Sequence, residues 1–167
     1  MHLLRHTLSH RSQSRFDSFI ARTVIHRVSR RSTDRRPEGF PRRILVVDDS
    51  PHFLAVLRAS LEARGYEVCG EAADGASAIE QAKVLKPDAV ILDLVMPGLN
   101  GMEAAAVLKN VMPRTLLIML TFHEDQIKST PASAFGIKAV ISKADGLSKL
   151  IECLQGLFGP TVVPRQS

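Results

Sequence analysis

The sequence predicts an α/β fold, a doubly wound sheet of five parallel strands over residues 42–159. Two observations carry this. From Arg42 onward, short β-branched runs alternate with amphipathic stretches of helical period. One run, Ala89–Leu92, is apolar throughout, as a strand buried on both faces must be. Roughly 120 residues are too few for a closed barrel of eight such units, so the sheet stays open.

Each element has its own signal. Ile44–Val47 reads as the first strand. Ser50-Pro51 opens a helix, with Ser at the N-cap and Pro at the first helical position. Phe53, Leu54, Leu57 and Leu61 form its apolar stripe, and Gly65 marks its end. Glu67–Glu71 is the second strand. Asp74-Gly75 starts a helix that Lys86-Pro87 stops. Ala89–Leu92 is the third strand. Asn100 and Glu103 have capping-box spacing for a helix running to about Asn110. Thr115–Leu120 is the fourth strand. A helix is expected before Gly136, although Pro131 falls in mid-course, where it either restarts a shortened helix or breaks it. Ile137–Ile141 is the fifth strand. Leu147, Leu150, Ile151, Leu154 and Phe158 then give the last helix its buried face.

Charge separates this domain from what precedes it. Residues 1–43 hold eleven Arg, no Lys and three acids; the remainder holds eleven basic and fourteen acidic residues. The overall charge of +5 therefore belongs to the N-terminal stretch and does not make the domain a nucleic-acid binder. Residues 1–41, rich in Arg, Ser and His, are expected to be a disordered basic extension. Phe16, Ile20, Val24 and Val28 fall at helical spacing, so contact with nucleic acid or an anionic membrane is the competing expectation. Residues 160–167 read as a short C-terminal tail. Apolar runs such as Leu116–Leu120 are too short to span a bilayer, no signal peptide is recognisable, and a cytoplasmic location is expected. Cys69 and Cys153 are too few for a disulfide framework and read as reduced thiols.

In an open parallel sheet the functional site lies at the carboxyl ends of the strands. There the sequence places Asp48-Asp49, Asp93, Thr121 and Ser142-Lys143, after strands one, three, four and five. Three clustered carboxylates repel one another, and keeping them ionised calls for a cation. An incomplete set of hard oxygen ligands favours Mg²⁺, which keeps waters and accepts phosphate oxygens. Lys143 supplies a point charge for phosphoryl oxygens, and the Thr121 hydroxyl a donor. Asp93, on the central strand, is left as a nucleophile able to form an aspartyl phosphate.

At this point residues 43–158 resemble the receiver domain of two-component response regulators. The resemblance rests on Val46-Val47-Asp48-Asp49, Asp74-Gly75, Pro87-Asp88, Leu120-Thr121 and Gly136 through Lys143. It also rests on the loop after Asp93, with Pro97 four and Gly101 eight residues on. It implies a flavodoxin-like (βα)5 fold with strand order 2-1-3-4-5. It implies Asp93 as phosphoacceptor, Asp48 and Asp49 as acidic Mg²⁺ residues, the Val95 carbonyl as a further metal ligand, and Thr121 and Lys143 as phosphoryl contacts. Three positions depart from the family pattern. Val140 stands where an aromatic is usual, Phe122 where a small residue follows the threonine, and Pro131 within the fourth helix.

The resulting reading is a phosphorylation-dependent switch. It receives its phosphoryl group from a histidine kinase or histidine phosphotransfer protein and passes the signal to a downstream protein. Its only catalysis is its own phosphorylation and dephosphorylation, so it is not read as an enzyme. Fewer than ten residues follow the last helix, so a stand-alone receiver is expected. The alternatives are a transcriptional receiver separated from its DNA-binding domain, and a binding module attached to membrane or nucleic acid by its basic extension. A phosphohydrolase is disfavoured, because Val95 stands where such enzymes need a second acid. If residues 1–41 add nothing to the fold, their removal leaves the melting temperature within about 2 °C, as for changes outside a cooperative unit. A drop of about 5 °C or more in a thermal melt would contradict this.

Overall fold

In the computed structural model the described residues are 40–127 and 131–159. The expectations for residues 1–39 and 160–167, including the basic extension and the short tail, lie outside them. The five strands are β1 (Arg43–Val47), β2 (Glu67–Ala72), β3 (Ala89–Leu92), β4 (Leu116–Thr121) and β5 (Ile137–Ser142). They pair in parallel in the order β2-β1-β3-β4-β5. The α-helices are α1 (Pro51–Glu62), α2 (Gly75–Leu85), α3 (Gly101–Val111) and α4 (Leu147–Phe158).

Period-two alternation divides the strands between two cores. Leu45, Val47, Val90, Leu92, Leu117 and Met119 pack on one face with Ala78, Ala82, Ala104 and Leu108 of α2 and α3. Ile44, Val46, Ile91, Ile118 and Leu120 pack on the other with Leu57 and Leu61 of α1 and Leu150 and Leu154 of α4. The three inner strands are thus buried on both sides, which is why they read as unbroken apolar runs. The edge strands are not: Lys138 and Val140 of β5 are exposed.

The helix starts follow their caps. The Ser50 hydroxyl accepts from the Phe53 amide, and Pro51 occupies the first turn of α1. Asn100 and Glu103 close a reciprocal capping box on α3. Asp74 caps α2, accepting from the Ser77 amide and hydroxyl. One expectation is corrected. The segment between β4 and β5 holds no α-helix among the described residues, but two single 3-10 turns, Glu124–Ile127 and Ala132–Phe135. Pro131 explains this: it has no amide proton to donate, it takes an extended conformation (ψ 118°), and it disfavours the helical region for the residue before it. Ile127 still reaches the core, and the Lys109 ammonium donates to the Ala134 carbonyl. Cys69 and Cys153 are unpaired and half-buried, and burial pushes both thiols up, away from thiolate reactivity.

The Ser77 hydroxyl and amide hold the Asp74 carboxyl below its ordinary value. A carboxyl depressed in the folded state stabilises fully above its unfolded value of about 3.9 and loses that contribution as pH falls through the folded value. Asp74→Ala is therefore expected to lower the urea midpoint at neutral pH, with the gap to wild type narrowing below about pH 4. A gap unchanged down to about pH 3 would show that the carboxylate charge plays no part.

Candidate functional site

The site is built where β1 and β3 end side by side. Val47 is in register with Leu92, so Asp48 and Asp93 emerge from adjacent strands in step. Their backbones are tied: the Asp93 amide donates to the Val47 carbonyl (2.9 Å), and the Asp48 amide to the Ala72 carbonyl (3.0 Å). Both carboxylates are buried, while Asp49 is exposed.

Each buried carboxylate is oriented by a backbone amide. Asp48 Oδ1 accepts from the Ser50 amide (3.0 Å), and Asp93 Oδ1 accepts from the Leu94 amide (2.8 Å). Both Oδ2 atoms meet the same cation. Lys143 Nζ lies 2.5 Å from Asp48 Oδ2 and 3.2 Å from Asp93 Oδ2. The lysine side chain is only 5% exposed, so this is a buried ion triad, in which desolvation is costly and pairing must offset it.

The loop after Asp93 closes on itself. The Gly101 amide donates to the Leu94 carbonyl (2.9 Å), and a Cβ at Gly101 would stand 2.0 Å from the Asp93 carbonyl oxygen. Only glycine permits that approach, so the spacing of Asp93 and Gly101 is a packing requirement on the carboxylate's own backbone. Gly98 turns the same loop at φ +71°.

Of the residues singled out in the sequence, Asp48, Asp49, Asp93 and Lys143 are brought together. Carboxylate oxygens of the three aspartates lie within 4.8 Å of one another. Two buried carboxylates and one facing solvent form an all-oxygen donor set with open positions, which fits a hard divalent cation. Thr121 is buried at the end of β4, in register with Ser142, the residue before Lys143. Its hydroxyl accepts from the His123 amide (3.1 Å). Val95, two residues past Asp93, is exposed. Sequence reasoning did not find the role of the Ser50 and Leu94 amides in aiming the carboxylates. Backbone donors leave no mark in residue identity.

The comparisons with known proteins bear on the family. The family model for the response regulator receiver domain matches residues 44–155. Chemotaxis protein CheY of Thermotoga maritima is 34% identical over 113 residues, covering 68% of this chain and 94% of that protein. Protein CcdB of Bacillus subtilis is 36% identical over 117 residues, covering 70% of this chain and 98% of that one. Among solved structures, the response regulator TrrA of T. maritima, in complex with Mg²⁺-BeF, superposes with a TM-score of 0.63 at 30% identity, covering 70% of this chain and 99% of that one.

Lys143→Met keeps most of the stem and removes the charge, leaving two buried carboxylates uncompensated. The variant is expected to lose about 3 kcal/mol of unfolding free energy at neutral pH without divalent cations. Adding Asp48→Asn should recover part of that loss, because it removes one of the stranded charges. Urea melts of the two single variants and the double variant measure this. Strictly additive losses would mean that the two residues are not coupled.

Proposed function

Given that the chain belongs to the response regulator receiver domain family and works in phosphorylation-dependent signalling, we propose that Asp93 is its phosphoacceptor. The observation that carries this reading is the clustering of the Asp48, Asp49 and Asp93 carboxylates, two of which, Asp48 and Asp93, share the buried Lys143 ammonium. Asp93 stands at the end of β3, the central strand of the five, and like Asp48 presents its Oδ2 to the lysine.

In the proposed reaction Asp93 Oδ2 attacks the phosphorus of a phosphohistidine on a histidine kinase or phosphotransfer protein. The O–P bond forms, the P–N bond breaks, and the imidazole leaves with the bonding pair. The Leu94 amide holds Oδ1 and so fixes the plane of the attacking carboxylate. Lys143 follows the developing charge onto a phosphoryl oxygen, and the Thr121 hydroxyl becomes a donor to another. Mg²⁺, held by Asp48, Asp49, Asp93 and the Val95 carbonyl, would supply the positive charge that lets an anionic donor approach three carboxylates. Catalysis is confined to the protein's own phosphorylation and the hydrolysis that resets it. The phosphorylated form acts on a downstream protein, and the switch operates in the cytoplasm. Among the described residues no helix is long and apolar enough to cross a membrane.

Incubation with acetyl phosphate and Mg²⁺ is expected to add one hydroxylamine-labile phosphoryl group, absent in Asp93→Asn and in excess EDTA. Asp49→Ala should need at least tenfold more Mg²⁺ for the same extent, equivalent to about 1.4 kcal/mol or more of binding free energy. Intact-protein mass spectrometry reads both. Undiminished labelling of Asp93→Asn would move the phosphoacceptor elsewhere.

A further inference from the structure

Two phenylalanines stand against the Lys143 ammonium. Nζ lies over the Phe53 ring at 4.4 Å from its centroid and over the Phe122 ring at 5.5 Å, both within cation–π range. The two rings are held differently. Phe53 is half-buried in the first turn of α1, packed against the core. Phe122 follows β4 and is 62% exposed. Core packing therefore does not account for Phe122, and its ring contact with Lys143 needs a physical role.

We propose that Phe122 is a positioning residue for phosphoryl transfer, which with Phe53 steadies the Lys143 ammonium while that ammonium exchanges one oxygen partner for another. The inference rests on Asp93 being the phosphoacceptor. Asp48 and Asp93 account for two of the three ammonium donors, and both pairings are directional. When an oxygen of Asp93 becomes esterified, the pairing at 3.2 Å must give way to one with a phosphoryl oxygen. The ring face attracts the ammonium without taking up an N–H in a strong hydrogen bond, and that attraction persists whichever oxygen the ammonium turns to. A flexible lysine stem held by carboxylates alone would follow Asp48, the closer partner, and lag behind the transferring group. Phe122 also immediately follows Thr121, the other residue proposed to contact the phosphoryl group, so one short segment contributes to both contacts.

The test separates the ring's electrostatics from its bulk. Phe122→Leu keeps an apolar side chain without the aromatic face, and Phe122→Tyr keeps the face. In the unphosphorylated protein the Lys143 ε-methylene protons should be shifted upfield by ring currents. Part of that shift should vanish in Phe122→Leu and persist in Phe122→Tyr, with the melting temperature unchanged in both. With acetyl phosphate and Mg²⁺, Phe122→Leu should lower the maximal phosphorylation rate about two- to fivefold with an unchanged half-saturating donor concentration, and Phe122→Tyr should restore it. Wild-type rates and ε-proton shifts in Phe122→Leu would overturn the proposal. So would a change confined to the half-saturating concentration, which would make Phe122 a steric gate. Asp93→Asn is the separate control: labelling that persists in it defeats the phosphoacceptor reading. The ε-proton shifts, measured without phosphorylation, still decide whether Phe122 acts on Lys143.

Discussion

A buried lysine shared by two buried aspartates is the constraint around which the rest of this domain is arranged. Lys143 and Asp48 lie 95 positions apart in sequence, at the ends of β5 and β1. Three strand spacings, about 14 Å, separate those strands across the sheet. The ion pair forms only because every intervening strand is parallel and ends at the same edge. An antiparallel neighbour would send one of the charges to the opposite edge. The pair therefore couples four of the five strands to the chemistry at their ends. It also concentrates the penalty for error, since a buried charge without its partner costs several kcal/mol.

That edge is rigid because of what lies beneath it. β1, β3 and β4 are packed on both faces by separate apolar clusters, and interiors at that density leave little room for strand ends to shift. The carboxylates are then aimed by short local bonds, Asp48 through the Ser50 amide and Asp93 through the Leu94 amide. Ser50 serves two purposes here. Its side chain caps α1 while its amide fixes Asp48, so the helix start and the site share one residue. Gly101 does the same on the other side, beginning α3 and admitting the Asp93 carbonyl.

Much of this was legible in the sequence, for a physical reason. Strands buried on both faces have to be apolar throughout, so the first charged residue after each run marks its end. Asp48 and Asp93 are found in that way, whereas Lys143 follows the edge strand β5, where Lys138 is exposed, and is read from its place at a strand's carboxyl end. Capping residues were equally readable, because Ser50, Asp74 and Asn100 act within three positions of themselves. The fourth connection was not readable beyond its problem residue. Pro131 signalled trouble for a helix, but only the packed structure shows that the chain takes two 3-10 turns. Nor could the sequence pair Lys143 with Asp48 in preference to Asp93. That preference depends on how a flexible stem is directed across the strand ends, a tertiary matter on which residue identity is silent.

The aromatic residues show how such tertiary placement changes the meaning of a departure from pattern. Judged by sequence, Val140 is a loss, a short β-branched residue where an aromatic is usual, and Phe122 an unneeded bulk. In the fold Val140 is 36% exposed on the edge strand, and its stiff χ1 leaves it little to move. The rings near the lysine come instead from α1 and from the end of β4. Aromatic surface has thus not been lost from the neighbourhood of the site. It sits next to the charged group rather than on the outer strand, and the segment that bears Phe122 runs directly into the turns broken at Pro131. A displacement of Thr121 would therefore meet a ring in contact with the lysine and a connection whose described residues hold only single 3-10 turns. Thr121 is also paired in register with Ser142 of β5, so the segment after β4 and the edge strand both adjoin the site.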